Sequence, residues 1–363
     1  MPFIQNVARR LRARIGNRPA GDLHVLHEHP LNAETPLETQ TQPLTPNELF
    51  YVRDHGDVPG LDAALWRLVL AGEFEHPLAL DLAHLRSLPA RSVVVTLECA
   101  GNGRTGIQPP VPGEPWGYGA VGTAEWTGVP LGVVLDLAGL SSRARELVFT
   151  GADTSEIGTG EVVPFQRSLS IEAARDPDVL LAYAMNSEPL PPHHGFPVRL
   201  VVPHLYGVAS VKWLTRIDAV EEPFDGYYQS QRYVIADGDT REHGEPLGAM
   251  RVRSVFVAPG ENSTLPRRRH TLRGLAWSGQ GAIERVEVSD DGGAHWFEAV
   301  LCDSLGPNAW RAWSFDWDPA RTGTFVLQCR AFDVAMNGQP NRQVRNRFGY
   351  ANNAVQSVIV TVR

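Results

Sequence analysis

The side chains in this sequence best suited to chemistry are a cysteine and a set of cations placed beside short apolar runs. Cys99 follows the β-branched run Val93-Val94-Val95 and precedes Gly101-Asn102-Gly103-Arg104, so the sequence predicts a thiol where a buried strand gives way to a tight turn. The glycines let the backbone pass close to a bulky group, and Arg104 adds a permanent charge beside it. A metal-bound thiolate suits such a place, although a lone cysteine read by itself is a buried structural residue. Arg53 and His55 alternate along Phe50-Tyr51-Val52-Arg53-Asp54-His55 and so share one face of an extended chain. Asp153 follows the run Leu147 to Phe149 at an expected strand end, and His194, Arg199 and Lys212 come after Leu180 to Met185. Taken singly, each cation is an ordinary ion-pair or surface residue. Together Arg53, His55, Arg104, His194, Arg199 and Lys212 predict a site for an anion-rich ligand. His24, His27 and His29 lie in a Pro-rich extended stretch without a cysteine or carboxylate cluster and are read as satisfied or solvent-exposed histidines.

Strands must position these groups. Leu65 to Leu70 and Leu180 to Met185 read as strands, Leu78 to Leu88 as a short helix feeding the strand that ends at Cys99, and the stretch after Pro130 as a helix closed by Gly139. A helix start is expected at Thr45-Pro46-Asn47-Glu48, a strand over Phe50 to Val52, and a loop carrying Trp116 and Tyr118 over Gln108 to Gly119. His194 and Arg199 are expected at opposite ends of one short strand limited by prolines. Beyond Ala249, short runs such as Leu272 to Leu275, Ile283 to Val288, Trp310 to Phe315, Thr324 to Phe332 and Val355 to Val362 recur between turn residues, with Asp290-Asp291-Gly292-Gly293 as a hairpin loop. That is the pattern of an antiparallel, immunoglobulin-like β-sandwich. The expected fold class is α+β: an N-terminal extension over 1–29, a mixed α/β domain over 30–245 and the sandwich over 246–363.

Composition narrows the function classes. A chain of 363 residues exceeds what one core usually fills, and 34 glycines and 28 prolines predict many turns and few long helices. A net charge of −8 argues against nucleic-acid binding and requires that cations be gathered locally. Cys99, Cys302 and Cys329 form no C-x-x-C, haem-attachment or zinc pattern. Arg9, Arg10, Arg12, Arg14 and Arg18 give a basic start without the apolar stretch of an export signal, and no run is long enough to span a membrane. The expected location is cytoplasmic, or periplasmic if a leader has been removed.

FYVRDH at 50–55, TLECAGNGR at 96–104, HGFPVR at 194–199 and SVKW at 210–213, in that order, resemble the sulfite oxidase family of molybdopterin enzymes. PLNAETP at 30–36 fits the opening segment of that family, and the sandwich resembles its dimerisation domain, so the resemblance covers nearly the whole chain. It implies a sulfite-oxidase-type domain holding molybdenum on one pyranopterin dithiolene, with Cys99 the only protein ligand to the metal. By family position Tyr51, Arg53, His55, Asp153, His194, Arg199, Ser210, Val211 and Lys212 bind the cofactor, and Arg53, Arg104, Trp116 and Tyr233 line the substrate pocket beside Cys99. A soft thiolate is the right donor for such a metal, and Arg199 with Lys212 can neutralise a terminal phosphate. The implied reaction is oxygen-atom transfer that turns sulfite into sulfate, by a homodimer that passes electrons to a separate acceptor such as a cytochrome.

Two departures bear on that expectation. Where animal sulfite oxidases carry a substrate arginine before a glycine, this chain has Phe348 before Gly349, and Arg347 is expected to point to the other face of an extended segment. No haem motif occurs in the sequence. The alternatives are an S-oxide, N-oxide or nitrate reductase on the same cofactor, a cysteine-nucleophile enzyme pairing Cys99 with His194, or a noncatalytic anion-binding module.

Overall fold

The computed structural model describes residues 22–236 and 244–363, and the arginine-rich start falls outside that range. Its first half is built on two five-stranded sheets. In one, Arg91–Glu98 pairs antiparallel with Val121–Pro130, which pairs with Leu180–Met185; Glu188–Pro189 and Arg199–Val201 both join Leu180–Met185. In the other, Leu214–Val220 runs parallel to Arg67–Gly72 and antiparallel to Glu146–Glu156, with Leu78–Asp81 and Val162–Ser170 at the edges. A small three-stranded sheet of His24–His27, Asn32–Glu34 and Val52–Arg53 lies beside them.

Helices are short, as the glycine and proline content requires. Leu131–Ala138 buries Leu131, Val134, Leu135 and Ala138, the 3–4 spacing of a single face, and Gly139 closes it at φ +64°. Three expectations are corrected here. Leu78 to Leu88 is not one helix: Leu78–Asp81 is a strand, after which the Asp81 carboxylate accepts from the His84 N–H and caps helix Leu82–Ser87. Asp153 does not follow a strand end but lies inside Glu146–Glu156, where the register slips between Thr150 and Thr154. His194 closes a 3₁₀ turn, Pro192–His194, and Arg199 opens Arg199–Val201, so the two do not share a strand.

The C-terminal half is a sandwich. Arg253–Ala258, His270–Trp277, Arg311–Trp317 and Val300–Leu301 form one sheet, and Ser263–Leu265, Gln356–Val362, Gly323–Asp333, Ile283–Ser289 and Phe297–Glu298 the other. Alternate residues such as Phe325, Leu327, Cys329 and Ala331 point into the core between them. Trp313 and Trp317 belong to that core, whereas Trp277 and Trp310 join the core of the first half, so the two apolar interiors meet at the junction. Trp296 is half-buried beneath the Arg330 guanidinium. Arg91–Glu98 is an edge strand of its sheet, and the sandwich covers it: Thr96 donates to the Asn308 carbonyl, and its hydroxyl accepts from the Trp310 N–H at 2.7 Å.

Candidate active site

Cys99 stands one residue past Arg91–Glu98, and hydrogen bonds fix it on both sides. Its N–H donates to Ala120 O at 2.8 Å, and its carbonyl accepts from Asn102 N at 2.9 Å. Gly103 adopts φ +78°, where a side chain is strained. Gly101 leaves room for the Arg104 guanidinium, which a Cβ there would meet at 2.6 Å. Burial pushes the Cys99 thiol up, opposed by the Gly101 backbone and by the charges of Arg53 and Arg104. A soft cation bound to the sulfur would reverse that balance by replacing the proton.

The second half of the chain grips this turn. Glu98, buried, accepts from Asn102 Nδ2 at 3.0 Å and Trp277 Nε1 at 2.9 Å, and Arg253 lies 3.2 Å away. Ala351 N donates to Ala100 O, Asn352 Nδ2 to Gly103 O, and Arg104 Nε to Phe348 O at 3.1 Å. Sequence reading missed Glu98, Asn102 and Arg253. The available signal was a carboxylate closing an otherwise apolar strand.

Cys99 opens onto a cleft lined among others by Tyr51, Arg53, His55, Asp153, His194, Arg199, Ser210, Lys212 and Tyr233. The structure therefore gathers residues drawn from across the first half of the chain. Val211 and Trp116 are fully buried and stand behind the lining, Trp116 in the same apolar cluster as Cys99. Arg104 also stands outside the lining, its Nη1 donating to Glu114 O at 2.5 Å.

The electrostatics suit an anion with donors of its own. Arg199 is buried, gives one N–H group each to the carbonyls of Leu200, His194 and Ser210, and lies 4.9 Å over the Trp126 ring. No carboxylate among the described residues pairs with it, and burial lowers it to about 10. Burial holds His194 neutral, at about 3, assisted by the charges of Lys212 and Arg199. His55 is likewise pushed well below its usual value, by burial and then by Arg53, Lys212 and Arg232; its Nε2 lies 2.6 Å from the Tyr233 hydroxyl. Asp153 is the complement: Oδ1 is buried without a hydrogen-bond partner, and burial raises the carboxyl to about 6. An unpaired acceptor inside a cleft asks for a donor from its occupant.

Asp54 was not foreseen as part of this site. It is almost fully buried, with His193 Nδ1 2.7 Å from Oδ2 and the Lys212 ammonium against Oδ1. Lys212 also donates to Arg53 O at 3.0 Å and His193 O at 2.9 Å, so its donors are all engaged. The donor set fits a pterin cofactor: a thiolate for a soft metal, a buried arginine for phosphate, and a free carboxylate oxygen for ring N–H groups. Any phosphate reaching Lys212 must compete with Asp54.

Among the described residues no cluster of three or more His, Cys, Asp or Glu side chains could hold a metal ion, and His24 instead pairs with Glu34 at 3.4 Å. No helix there is long and apolar enough to cross a membrane.

Residues 55–228 match the family described as oxidoreductase molybdopterin binding domain, and residues 245–363 the Mo-co oxidoreductase dimerisation domain. The chain is 38% identical to sulfite oxidase of Gallus gallus over 88% of its own length and 73% of that protein. It is 36% identical to the mitochondrial sulfite oxidase of Rattus norvegicus over 94% of its length but 66% of the relative, and 34% identical to a nitrate reductase of Lotus japonicus over 93% of its length and 41% of the relative. The chain thus spans two thirds or less of several relatives. The sulfane dehydrogenase SoxCD of Paracoccus pantotrophus superposes with a TM-score of 0.81 at 28% identity, over 96% of this chain and 94% of that one.

Proposed function

The chain belongs to the sulfite oxidase family of molybdopterin oxidoreductases, and we propose that within it the protein oxidises sulfite to sulfate and passes the electrons to a separate acceptor such as a cytochrome. The observation that carries this reading is a buried cysteine under the fields of both Arg53 and Arg104 at the floor of a cleft. A molybdenum-pterin group held there would supply oxygen-atom transfer and accept the electron pair.

The chain's own residues then bind, orient and handle protons. Cys99 ligates through sulfur, Arg199 neutralises phosphate, and Asp153 Oδ1 accepts from the pterin. Arg53 is fixed by the Asn32 side chain at 3.0 Å and by the Asp54 carbonyl, so its charge is aimed before any anion arrives. Arg104, behind the lining, is fixed likewise by the Phe348 and Glu114 carbonyls and adds its field at Cys99. Sulfite oxidation releases two protons and two electrons for each water consumed. The Tyr233 hydroxyl, 2.6 Å from His55 Nε2, is the cleft's hydroxyl group placed to hydrogen-bond the anion and to pass on protons released there, while His55 stays neutral. A homodimer formed through the C-terminal domain completes the reading.

Reduction of nitrate is the second reading, supported by similarity to nitrate reductase and by Phe348, which leaves the cleft less cationic for a dianion. Steady-state assays of molybdenum-loaded protein with sulfite and an artificial oxidant, and with nitrate and an artificial reductant, separate the two. Sulfite turnover is expected, and Arg53→Gln should raise its KM steeply. Nitrate turnover without sulfite turnover would overturn the proposal.

A further inference from the structure

Cations close to the cysteine are partly committed to the protein. Arg53 serves Asn32 and the Asp54 carbonyl, Arg104 serves the Phe348 and Glu114 carbonyls, and Lys212 serves Asp54. Arg232 and Arg347 are held differently. The Arg232 guanidinium lies 5.0 Å from the centroid of the Phe348 ring and 6.0 Å from that of Tyr350, and Arg347 lies 4.9 Å from Phe348. Among the described residues neither guanidinium pairs with a carboxylate. The expectation that Arg347 faces away from Phe348 is corrected by the same contacts: residues 346–349 turn back on themselves, with Gly349 N donating to Asn346 O, instead of running extended.

The ring that carries Arg232 is continuous with the cleft. Phe348 packs on Tyr350 at 5.6 Å, Tyr350 stacks on Tyr233 at 5.1 Å, and Tyr233 reaches His55 inside the cleft. Arg232 is also the residue before Tyr233 and ends the helical turn Tyr228–Arg232, so its backbone is anchored at the cleft wall. Its charge is felt within, where it disfavours protonation of His55 and bears on Arg104.

We propose that Arg232, perched on Phe348, is a specificity-determining cation that draws the substrate anion into the cleft. Held among the described residues only by ring faces, the Arg232 guanidinium keeps all its N–H donors for an incoming oxyanion, whereas Arg53 and Arg104 each give part of theirs to the protein. Phe348 is then the support of a cation supplied by the first domain. The inference deepens the sulfite reading and rests on it for the identity of the anion.

The test uses the molybdenum-loaded dimeric protein, with steady-state sulfite kinetics across ionic strength and calorimetric titration of sulfate on the same samples. Arg232→Ala should raise the sulfite KM and weaken sulfate binding by about tenfold at low salt, the worth of one modest charged contact, with the difference shrinking as salt is added. Arg232→Lys should retain most of the affinity. Phe348→Leu, which keeps apolar volume and removes the ring faces, should mimic Arg232→Ala, and the double variant should lose little more. Phe348→Arg should bring no gain alone, because the new charge expels Arg232, yet should rescue Arg232→Ala. Unchanged KM and sulfate affinity in Arg232→Ala, or a loss insensitive to salt, would overturn the proposal. Sulfate binding that depends on Arg232 in a protein that turns over no sulfite would uphold the anion role and overturn the substrate assignment.

Discussion

Arg253, in the first strand of the sandwich, lies 3.2 Å from Glu98, the residue immediately before Cys99, and both are almost fully buried. Arg253 Nη1 has no aligned hydrogen bond, and burial outweighs the arginine's field, so the carboxyl is held above its usual range. Trp277 and Asn102 provide the aligned bonds instead. The turn that presents the cysteine is therefore a product of both halves of the chain. Arg253→Met should destabilise the protein by about 3–5 kcal/mol, because it strands a buried carboxylate, and Glu98→Gln in the same background should recover part of the loss. Denaturant unfolding of the parent and the two variants measures this. Equal stability of Arg253→Met and the parent would show that the pair is not closed in solution.

Lys212 and Asp54 predict how the protein behaves without its cofactor. The carboxylate occupies the ammonium that a phosphate would seek, and burial lowers the lysine's affinity for its proton against the pull of Asp54. Asp54→Asn should lower the melting temperature of the cofactor-free protein, since the lysine loses its only ion-pair partner among the described residues. It should also make inorganic phosphate a better stabiliser than it is for the parent. Thermal unfolding with and without phosphate reads both effects, and a parent-like response to phosphate would mean that Asp54 does not compete for Lys212.

How much of this was legible in sequence follows from the range of each interaction. Cys99, its turn and the strand before it are written in consecutive residues, as is the alternation that builds the sandwich. Leu78 to Leu88 deceived because an apolar stretch of that length fits a strand followed by a helix as well as one helix, and only the Asp81 cap marks the change. Asp153 was found by resemblance, but its position in a slipped strand was not, since a bulge has no short sequence signature. Asp54, Glu98 and Arg253 were missed because their partners lie far away in sequence, and Arg347 was misdirected because an extended chain was assumed where the backbone turns.

Asp153 makes the stability of the cofactor-free protein depend on pH. Its folded value of about 6 lies above the ordinary carboxylate value, so the folded state binds the proton more tightly than the unfolded chain does. That stabilisation is complete below about pH 4 and is lost as the pH rises through 6, by at most about 3 kcal/mol for a shift of this size. Asp153→Asn should remove this component, leaving a flatter curve between those limits. Cofactor N–H groups donating to the carboxylate would favour the charged form, so the loaded protein should show a narrower window. Unfolding free energies of the two proteins measured across that range decide it, and parallel curves would place Asp153 outside the buried environment described here.

Cys99→Ser separates the metal from the pterin. The thiol is buried and pushed up by its surroundings, so a metal must displace the proton to bind, and a serine hydroxyl, harder and far less acidic, does so poorly. Arg199, Asp153 and His55 do not depend on the sulfur, and their hold on the pterin and its phosphate should persist. Cys99→Ser should therefore lose activity almost completely while keeping much of its pterin, whereas Arg199→Met should lose pterin and metal together because the buried phosphate partner is gone. Protein made in a host that builds the cofactor should carry about one molybdenum per chain, as a single thiolate ligand implies. Elemental analysis and pterin fluorescence after denaturation, run on the parent and both variants, give the two contents independently. A well-folded parent free of molybdenum would remove the basis for the assignment, and equal pterin loss in both variants would show that the sulfur, not the cationic pocket, retains the cofactor.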